Sequence, residues 1–405
     1  MDAPAKERIL TLNAGSSSIK FAVYEIADEA PVLSVKGQVE GIGSAPHFVA
    51  RSATGQRLAE SYWEPTDPTQ GHARAFQQIW RWLAEATGDG QILAIGHRVA
   101  HGGDVYAEPV QITEQVIEAL TALIPLVPLH QPNNLAAIRA VARDHPNLPQ
   151  VACFDTSFHQ GRPRVSEQLA LPRALRARGL KRYGFHGLSY EYIAGRLREL
   201  APEVADGRVV IAHLGSGCSM TAIKDGRSQE TTMGFSSLDG LPMGTRCGAL
   251  DPGVLLFLMR EDGLGVAELE RLLYKQAGLL GLSGVGNDLR DLHASDDPHA
   301  AEAIDYFVYR IGQTLGALVA SIGGLDALVF TAGVGENDAE IRARVGRDAA
   351  WLGIEIDAVA NAAHALRISR PGQTPSVWVI PTDEELMIAR HTLRVVRSEG
   401  ARAVT

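Results

Sequence analysis

The sequence predicts an α/β protein built from two similar domains. Residues 8–26 (RILTLNAGSSSIKFAVYEI) and 208–224 (RVVIAHLGSGCSMTAIK) share one pattern, in which an apolar β-branched run is followed by a Gly/Ser turn and a second alternating run. That pattern is typical of a β-hairpin with a glycine- and hydroxyl-rich tip. The two segments begin 200 residues apart, as expected if one chain holds two related domains, although a coincidence of two hairpins would also give this pattern.

Segments with helical and strand periodicity alternate along the rest of the chain, which is the pattern of an α/β fold. Amphipathic helices are predicted at 71–87, 113–124, 133–143, 190–200, 301–322, 339–347 and 384–396. Short buried strands are predicted at 92–95, 151–154, 327–330 and 377–380.

The composition indicates a globular protein with a sizeable core. The chain has 405 residues, enough for two ordinary domains, and it is 45% hydrophobic and 21% charged. The net charge is −9 and the basic residues are scattered, so no nucleic-acid partner is expected.

Neither a membrane segment nor an oxidising compartment is expected. Residues 1–8 lack the apolar core of a signal peptide, and the apolar stretch 314–330 contains a Gly-Gly pair and Asp326, which predicts a buried helix, a turn and a strand. The three cysteines are far apart and lack zinc-site spacing. A cytoplasmic protein without disulfides is the expectation.

Three glycine-rich segments are candidate phosphate or nucleotide sites. The first hairpin tip, 13–18, is followed by Lys20, and the second tip spans 214–219. Glycine lets a backbone approach phosphate oxygens closely, and serine hydroxyls can bind them, although each tip alone also fits an ordinary turn. The third segment, 331–338, follows a strand and precedes a helix, so it predicts either a ligand at the helix N-terminus or a cap by Asn337 or Asp338.

Several charged side chains stand in unusual surroundings. Arg98 and Arg246 lie in glycine-rich segments with few other charges, which favours binding of carboxylate or phosphate over an ordinary surface position. Asp155 follows a buried strand, where α/β folds place functional carboxylates or turn caps. His186 lies between aromatic residues and glycines. Glu384, with Glu385 beside it, begins a helix and would serve either a divalent metal or the helix dipole.

Ten segments in order along the chain closely resemble the acetate kinase (acetokinase) family, within the acetate and sugar kinase, Hsp70 and actin superfamily. They are LNAGSSSIKF at 12–21, GHRVAHGG at 96–103, LHQPNN at 129–134, FDTSFH at 154–159, YGFHG at 183–187, HLGSGCS at 213–219, MGTRCG at 243–248, SGVGNDLRD at 283–291, TAGVGEN at 331–337 and PTDEE at 381–385. One such segment would be weak evidence for the resemblance, but ten segments in the family's order are specific for this family.

The resemblance implies two ribonuclease-H-like (actin-type) α/β domains with the active site in an interdomain cleft. The first domain is expected to cover 1–155 with 386–405, and the second, which binds the nucleotide, 156–385. The implied reaction is direct in-line transfer of a phosphoryl group from ATP to a short-chain acid. Phosphoryl transfer depends mainly on positioning and charge neutralisation. A homodimer is implied as well.

The resemblance also implies a role for each matching residue. Asn13 and Glu384 would hold Mg²⁺, for which Mn²⁺ is an alternative, and Ser16 and Lys20 would serve the phosphate region. Arg98, Arg246, Asp155, His186 and His130 would be catalytic. The implied nucleotide-binding residues are His213, Leu214, Gly215, Ser216, Gly217, Asp288, Leu289, Arg290, Gly333, Val334, Gly335, Glu336 and Asn337.

Four positions depart from the family's usual residues, and two of them, Ala100 and Ser237, map to the pocket for the acyl group. Arg98, Ala100, Leu129, Phe185 and Ser237 map to the substrate site, where many relatives have Val in place of Ala100 and a Thr-Pro pair in place of Ser236-Ser237. Ser216 replaces a usual Asn in the phosphate loop. A propionate kinase of the same family is therefore the first alternative function. An actin- or Hsp70-like ATPase is the second, and the two arginines argue against it because an ATPase needs no carboxylate clamp.

Overall fold

The computed structural model describes residues 6–15, 17–65, 71–86 and 91–403. Its strands are β1 (Arg8–Ala14), β2 (Ile19–Ala27), β3 (Ala30–Glu40), β4 (His47–Ser52), β5 (Arg57–Tyr62), β6 (Ile92–Val99), β7 (Val110–Gln111), β8 (Gln150–Phe154), β9 (Arg208–Leu214), β10 (Cys218–Lys224), β11 (Arg227–Thr231), β12 (Ala327–Thr331) and β13 (Ser376–Val379).

Its helices, in chain order, are α1 (Gly71–Ala86), α2 (Glu114–Ala122), α3 (Gln131–Asp144), α4 (Arg173–Arg176), α5 (Gly187–Leu200), α6 (Pro202–Ala205), α7 (Pro252–Glu261), α8 (Val266–Arg271), α9 (Gly278–Ser283), α10 (Leu289–His293), α11 (Pro298–Ile322), α12 (Ala332–Asn337), α13 (Ala339–Asp348), α14 (Ala358–Ala362) and α15 (Glu384–Ala403).

The chain divides into two compact units. Unit 1 comprises Met1–Ser157 and Asp383–Thr405, and unit 2 comprises Phe158–Thr382. Helix α15 lies in unit 1 from its first residue, whereas the sequence assigned residues up to 385 to the second domain. The reason is that α15 is continuous from Glu384 and packs against β1, β6 and β8 of the first sheet.

The two sheets share a topology. Unit 1 holds an eight-stranded sheet with the order β5-β4-β3-β2-β1-β6-β8-β7, and unit 2 a five-stranded sheet with the order β11-β10-β9-β12-β13. In both, a hairpin (β1–β2 or β9–β10) is extended by an antiparallel strand on one side and by two parallel strands on the other. The predicted hairpins and the predicted α/β class with two related domains are confirmed.

Central strand β1 is buried on both faces, which explains its run of apolar residues. Successive side chains of a strand point to opposite faces. Leu10 and Leu12 accordingly pack in the cluster that contains Phe76 of α1, while Ile9 packs with Leu393 of α15. Burial of such side chains contributes about 1.5–3 kcal/mol each.

The predicted helices and strands all exist, with ends shifted by a few residues; Thr87, the predicted end of the first helix, lies outside the described residues. The sequence did not predict β3, β4, β5, β7 and β11. Of these, β5, β7 and β11 lie at sheet edges, and in β5 most side chains are exposed or half-buried, so the apolar pattern of a buried strand is absent. The stretch 314–330 forms the end of α11, a turn and β12, as predicted. No helix of the described residues is long and apolar enough to cross a membrane.

Candidate active site

In unit 1, Arg98 is the centre of a group of polar side chains at the carboxyl ends of β1, β6 and β8. Its Nε donates to Asp155 Oδ1 over 3.0 Å, and its Nη2 makes a second bond to Asp155 Oδ2. Nη1 donates to Asn13 Oδ1 over 3.3 Å, and Nε lies 3.6 Å from Glu384 Oε2. These four predicted residues therefore form one cluster.

Packing of α15 against β6 brings Glu384 to Arg98. A Cβ at Gly96 would lie 2.2 Å from Thr392 Oγ1 and 2.6 Å from Ile388 Cγ2, so only glycine allows this approach of helix and strand. Position 96 precedes Arg98 by two residues on the same strand. Gly96 thus makes room for the helix that carries Glu384.

Burial and like charge shape the electrostatics of this cluster. The Asp155 side chain is 3% exposed, and burial raises its pKa to about 6; Arg98 opposes this rise and Glu384 adds to it. Burial lowers the pKa of Arg98, but Asp155 and Glu384 raise it more, so the guanidinium stays charged. Burial, and then Glu384, raise the pKa of Glu385, while Lys20 lowers it. Lys20 lies opposite Asn13 in the β1–β2 pair.

The donor chemistry of this cluster fits a hard divalent cation. Asn13, Asp155, Glu384 and Glu385 each offer side-chain oxygen atoms, the ligands that Mg²⁺ prefers. Burial, with the nearby Glu384 carboxylate adding to it, raises the pKa values of Asp155 and Glu385, and a bound cation would favour the charged form of both. Within the described ranges, however, no three His, Cys, Asp or Glu side chains are already grouped as a metal site. Ser16 lies outside the described residues.

In unit 2, His186 and Arg246 both approach the second hairpin tip. The Cβ position of Gly217 lies 3.4 Å from His186 Nε2 and 3.5 Å from Arg246 Nη2, so both groups lie at contact distance from the tip. Arg246 Nη1 donates to the backbone oxygen of Ser237 over 2.8 Å. Cys218 Sγ donates to Gly215 O over 3.1 Å, and burial raises the pKa of this thiol to about 12, which makes it unreactive.

Residues predicted for the acyl group lie in both units. Ala100, in unit 1, is buried, and its N–H donates to Asn134 Oδ1 over 3.0 Å; Asn134 Nδ2 in turn donates to Ala14 O over 2.9 Å. Leu129 and His130 are half-buried just before α3. Phe185 and Ser237, in unit 2, are buried.

A cavity of about 770 Å³ in unit 2 gathers most of the residues predicted to bind the nucleotide. Its predicted lining residues are Gly215, Ser216, Asp288, Leu289, Arg290, Gly333, Val334 and Asn337. Asp288 caps α10, and hydrogen bonds from Arg290 lower its pKa to about 2. The sequence argument did not identify Asn287, Leu279, His293 or Phe307, which also line the cavity. Of these four residues, Asn287 lies inside the segment 283–291 that resembles the family, so the motif match could have identified it.

Five predicted nucleotide residues do not line the cavity, and two of them have other partners. Glu336 Oε1 accepts from the backbone N–H of Ala332 over 2.8 Å and of Thr382 over 3.1 Å. His213 Nδ1 hydrogen-bonds Ser189 Oγ over 2.8 Å. The residues outside the lining are His213, Leu214, Gly217, Gly335 and Glu336. The cap that the sequence offered as the alternative role of segment 331–338 is present, because Asp338 caps α13 by accepting from Ile341 N.

Comparison with known proteins matches this chain over nearly its whole length. The model of the acetokinase family matches residues 8–390. An acetate kinase of Rhodopseudomonas palustris (strain ATCC BAA-98 / CGA009) is 52% identical over 399 residues, covering 97% of this chain and 99% of that protein. An acetate kinase of Rhizobium meliloti is 49% identical over 395 residues, covering 98% and 100%.

Solved structures agree in fold. The crystal structure of Porphyromonas gingivalis acetate kinase has a TM-score of 0.86 at 36% identity and covers 96% of this chain and 100% of that chain. A propionate kinase from Francisella tularensis subsp. tularensis SCHU S4 has a TM-score of 0.89 at 37% identity and covers 95% and 98%. The predicted two-domain, actin-type α/β fold is confirmed by these likenesses.

Proposed function

Because the chain belongs to the acetokinase family, we propose that it catalyses the reversible transfer of the γ-phosphoryl group of ATP to acetate, giving acetyl phosphate and ADP. One observation carries this proposal beyond the family match. Of the two arginines predicted to grip the acid and the phosphoryl group, Arg98 forms a polar cluster with Asp155 and Asn13, and Arg246 lies beside His186 at the second hairpin tip.

In unit 1, Arg98 binds the acceptor carboxylate, and Asp155 holds the guanidinium in place through two hydrogen bonds. A fork of N–H donors matches a carboxylate in geometry and charge. Asn13 and Glu384 are the residues that would hold Mg²⁺, or Mn²⁺ in its place. The bound metal would neutralise phosphate charge. Lys20 serves the same phosphate region, as does Ser16.

In unit 2, the cavity beside the second hairpin takes the nucleotide. The segment 213–217 carries the β- and γ-phosphates, since its glycines bring backbone N–H groups close to the ligand. The segments 288–290 and 333–337 hold adenosine at the cavity wall, and Glu336 acts there by fixing the backbone at the start of α12.

The transfer itself is in-line and needs no covalent enzyme intermediate. Arg246 stabilises the charge of the phosphoryl group in flight, and His186 Nε2 donates a hydrogen bond to it, with His130 in support. Removal of one such preorganised donor typically lowers turnover by a factor of about 100 or more.

Propionate is a second candidate acceptor, and Ala100 is the residue that favours it. The side chain at this position is small, which leaves room for an additional methylene group in the acyl site. A propionate kinase is among the structural relatives at 37% identity.

A homodimer in the cytoplasm is the expected state of the enzyme. Helix α7 supports the dimer because several of its large apolar side chains, among them Leu256, Phe257 and Met259, are about half exposed. The three cysteines are free thiols, which fits a reducing compartment.

An acyl-hydroxamate assay tests the proposed reaction. The purified enzyme is incubated with MgATP and acetate, propionate or no acid, and both the hydroxamate and ADP are measured. Acid-dependent release of ADP with equal hydroxamate formation is expected. ADP release that does not depend on the acid would instead indicate an ATPase.

A further inference from the structure

Behind His186 lies a row of buried hydroxyl groups to which the proposed function gives no role. His186 Nδ1 is 2.8 Å from Ser219 Oγ, and Ser219 Oγ also hydrogen-bonds the phenolic oxygen of Tyr190. Both Ser219 and Tyr190 are fully buried. Ser219 lies on β10, and Tyr190 lies one turn into α5, the helix that begins next to His186.

The backbone conformation of His186 and its hydrogen bond to Ser219 together fix the orientation of the imidazole ring. His186 has a left-handed backbone conformation, with φ of 60° and ψ of 23°, at the start of α5. Its Nδ1 contacts Ser219, and its Nε2 therefore faces the hairpin tip, 3.4 Å from the Cβ position of Gly217. Arg246 Nη2 lies 3.5 Å from the same point.

The acidities of the three groups determine which group donates each hydrogen bond. A phenol is a stronger hydrogen-bond donor than an alcohol, and an imidazole nitrogen is the strongest acceptor of the three groups. Tyr190 therefore donates to Ser219, and Ser219 donates to His186 Nδ1. A neutral imidazole that accepts at Nδ1 carries its proton on Nε2.

The neighbouring ring of His213 follows the same pattern. The His186 and His213 rings are stacked with centroids 4.2 Å apart. Thr382 Oγ1 donates to Ser189 Oγ over 2.9 Å, so the Ser189 proton is free to be donated to His213 Nδ1 over 2.8 Å. Two stacked imidazolium rings beside Arg246 would repel one another, which favours the neutral form of both.

We propose that Ser219 and Tyr190 are positioning residues that hold His186 as a neutral imidazole with its proton on Nε2. His186 then supplies a directed hydrogen bond, and Arg246 supplies positive charge at the hairpin tip. The catalytic part of this inference rests on the proposed phosphoryl transfer, whereas the tautomer of His186 can be measured without any substrate.

The tautomer is measured by ¹⁵N NMR on the full-length enzyme labelled at histidine. A His186→Gln variant identifies the His186 signals by their loss. At pH 7.5 we expect a protonated Nε2 and an unprotonated Nδ1 in the parent. In Ser219→Ala, loss of the donor to Nδ1 should give a mixture of tautomers. A parent in which Nδ1 carries the proton, or in which both nitrogens do, overturns the proposal whether or not the enzyme turns over acetate.

Kinetics test the positioning role. Ser219→Ala should lower kcat about 10-fold, the effect of one lost hydrogen bond, with KM for ATP changed less than about twofold. Tyr190→Phe should lower kcat less, and Ser219→Thr, which keeps the hydroxyl, should restore it. In Ser219→Ala the rate should also acquire a new pH dependence below about pH 6.5, as the freed imidazole takes up a proton.

A matched control is Tyr309→Phe, since Tyr309 is 55% exposed on α11. It should leave both kcat and the His186 signals unchanged. If Ser219→Ala folds and keeps the parental tautomer and kcat, Ser219 has no positioning role. If the parent shows the expected tautomer but lacks acid-dependent turnover, the proposed function fails while the tautomer assignment stands.

Discussion

Arg98 and Asp155 form a two-bond ion pair at the carboxyl ends of neighbouring parallel strands. The register of β6 and β8 places Arg98 opposite Cys153, and the chain turns after Phe154 so that the Asp155 carboxylate meets the guanidinium. Removal of Arg98 would leave the buried Asp155 carboxylate without its ion-pair partner, which is costly for stability.

Substitution of either arginine should abolish most turnover. Arg98→Ala and Arg246→Ala should each lower kcat/KM by a factor of about 100 or more, as expected for lost transition-state charge stabilisation. Arg→Lys should rescue only partly, since an ammonium lacks the forked geometry. Steady-state kinetics with Arg143→Ala, an exposed arginine of unit 1, as control provide the measurement. Near-normal turnover in either variant would refute the role of that arginine.

The two arginines should differ in their effect on stability. Arg98→Ala leaves buried Asp155 without its partner, whereas Arg246→Ala loses a bond to a backbone oxygen. Urea unfolding should therefore show a larger loss for Arg98→Ala. The double variant Arg98→Ala/Asp155→Ala should recover stability but no activity.

Activity should require a hard divalent cation. Excess chelator should abolish turnover, and Mg²⁺ or Mn²⁺ should restore it, because the oxygen donors at Asn13 and Glu384 match such ions. Glu384→Ala should raise the Mg²⁺ concentration for half-maximal rate or abolish turnover. Titration of the rate with Mg²⁺ measures this, with exposed Glu355→Gln as control. Glu385→Ala tests the neighbouring carboxylate; if it has the larger effect, the ligand assignment moves to Glu385.

Glu336 should affect nucleotide binding without contacting the nucleotide. Its carboxylate accepts hydrogen bonds from the N–H of Ala332, the first residue of α12, and from that of Thr382, two residues before Glu384. Hydrogen bonds to charged groups contribute about 1.5–3 kcal/mol, so Glu336→Ala should raise KM for ATP about 10-fold or more, with KM for the acid nearly constant. Glu336→Gln should be milder because one acceptor oxygen remains. Calorimetric ATP affinity equal to that of the parent would contradict this role.

The sequence predicted those features that depend on local pattern. Hairpins, buried strands and the strand-end position of Asp155 all follow from periodicity and turn chemistry. Residues such as Phe307 and His293 could not be assigned to the cavity, because they lie on helices that reach it only through tertiary packing. The motif match placed Glu336 among the nucleotide-binding residues. It could not show that the Glu336 carboxylate accepts a hydrogen bond from the backbone N–H of Ala332.

Buried histidines should make the enzyme sensitive to acid. Burial lowers the pKa of His159 to about 3, with Arg162 adding to the effect, and both ring nitrogens bond inside unit 2. The unfolded chain therefore binds a proton below about pH 6.5 that the folded state does not. Each such histidine removes about 2 kcal/mol of folding stability between pH 6.5 and 5, and the loss continues until the pH reaches the folded pKa.

His159→Gln should remove that part of the pH dependence. The variant should be less stable than the parent at pH 8, where it loses hydrogen bonds to Ser228 and Phe185, and the difference should shrink as the pH falls to 5. Urea unfolding at pH 8, 6.5 and 5 measures this, with exposed His299→Gln as control. A difference that is constant over this range would show that His159 does not stay neutral in the folded state.

Ala100 should set the acyl preference of the enzyme. Valine has two more carbons than alanine, and each buried methylene contributes about 0.8 kcal/mol, so the space left by Ala100 favours a longer acid. Discrimination by one methylene is worth only about 10- to 200-fold. We therefore expect kcat/KM for propionate close to that for acetate. Ser237 acts partly against this, because its hydroxyl makes the wall of the site less apolar.

Ala100→Val should shift the ratio of kcat/KM toward acetate by about 10-fold, since the two added carbons occupy the space of the propionate methyl group. Ala100 is buried and donates only through its backbone to Asn134, so the substitution leaves that hydrogen bond available. The matched control is Ala107→Val at an exposed position of the same unit. Strong rejection of propionate by the parent, or an unchanged ratio in Ala100→Val, would mean that a neighbouring side chain already fills the space and that Ala100 does not shape the site.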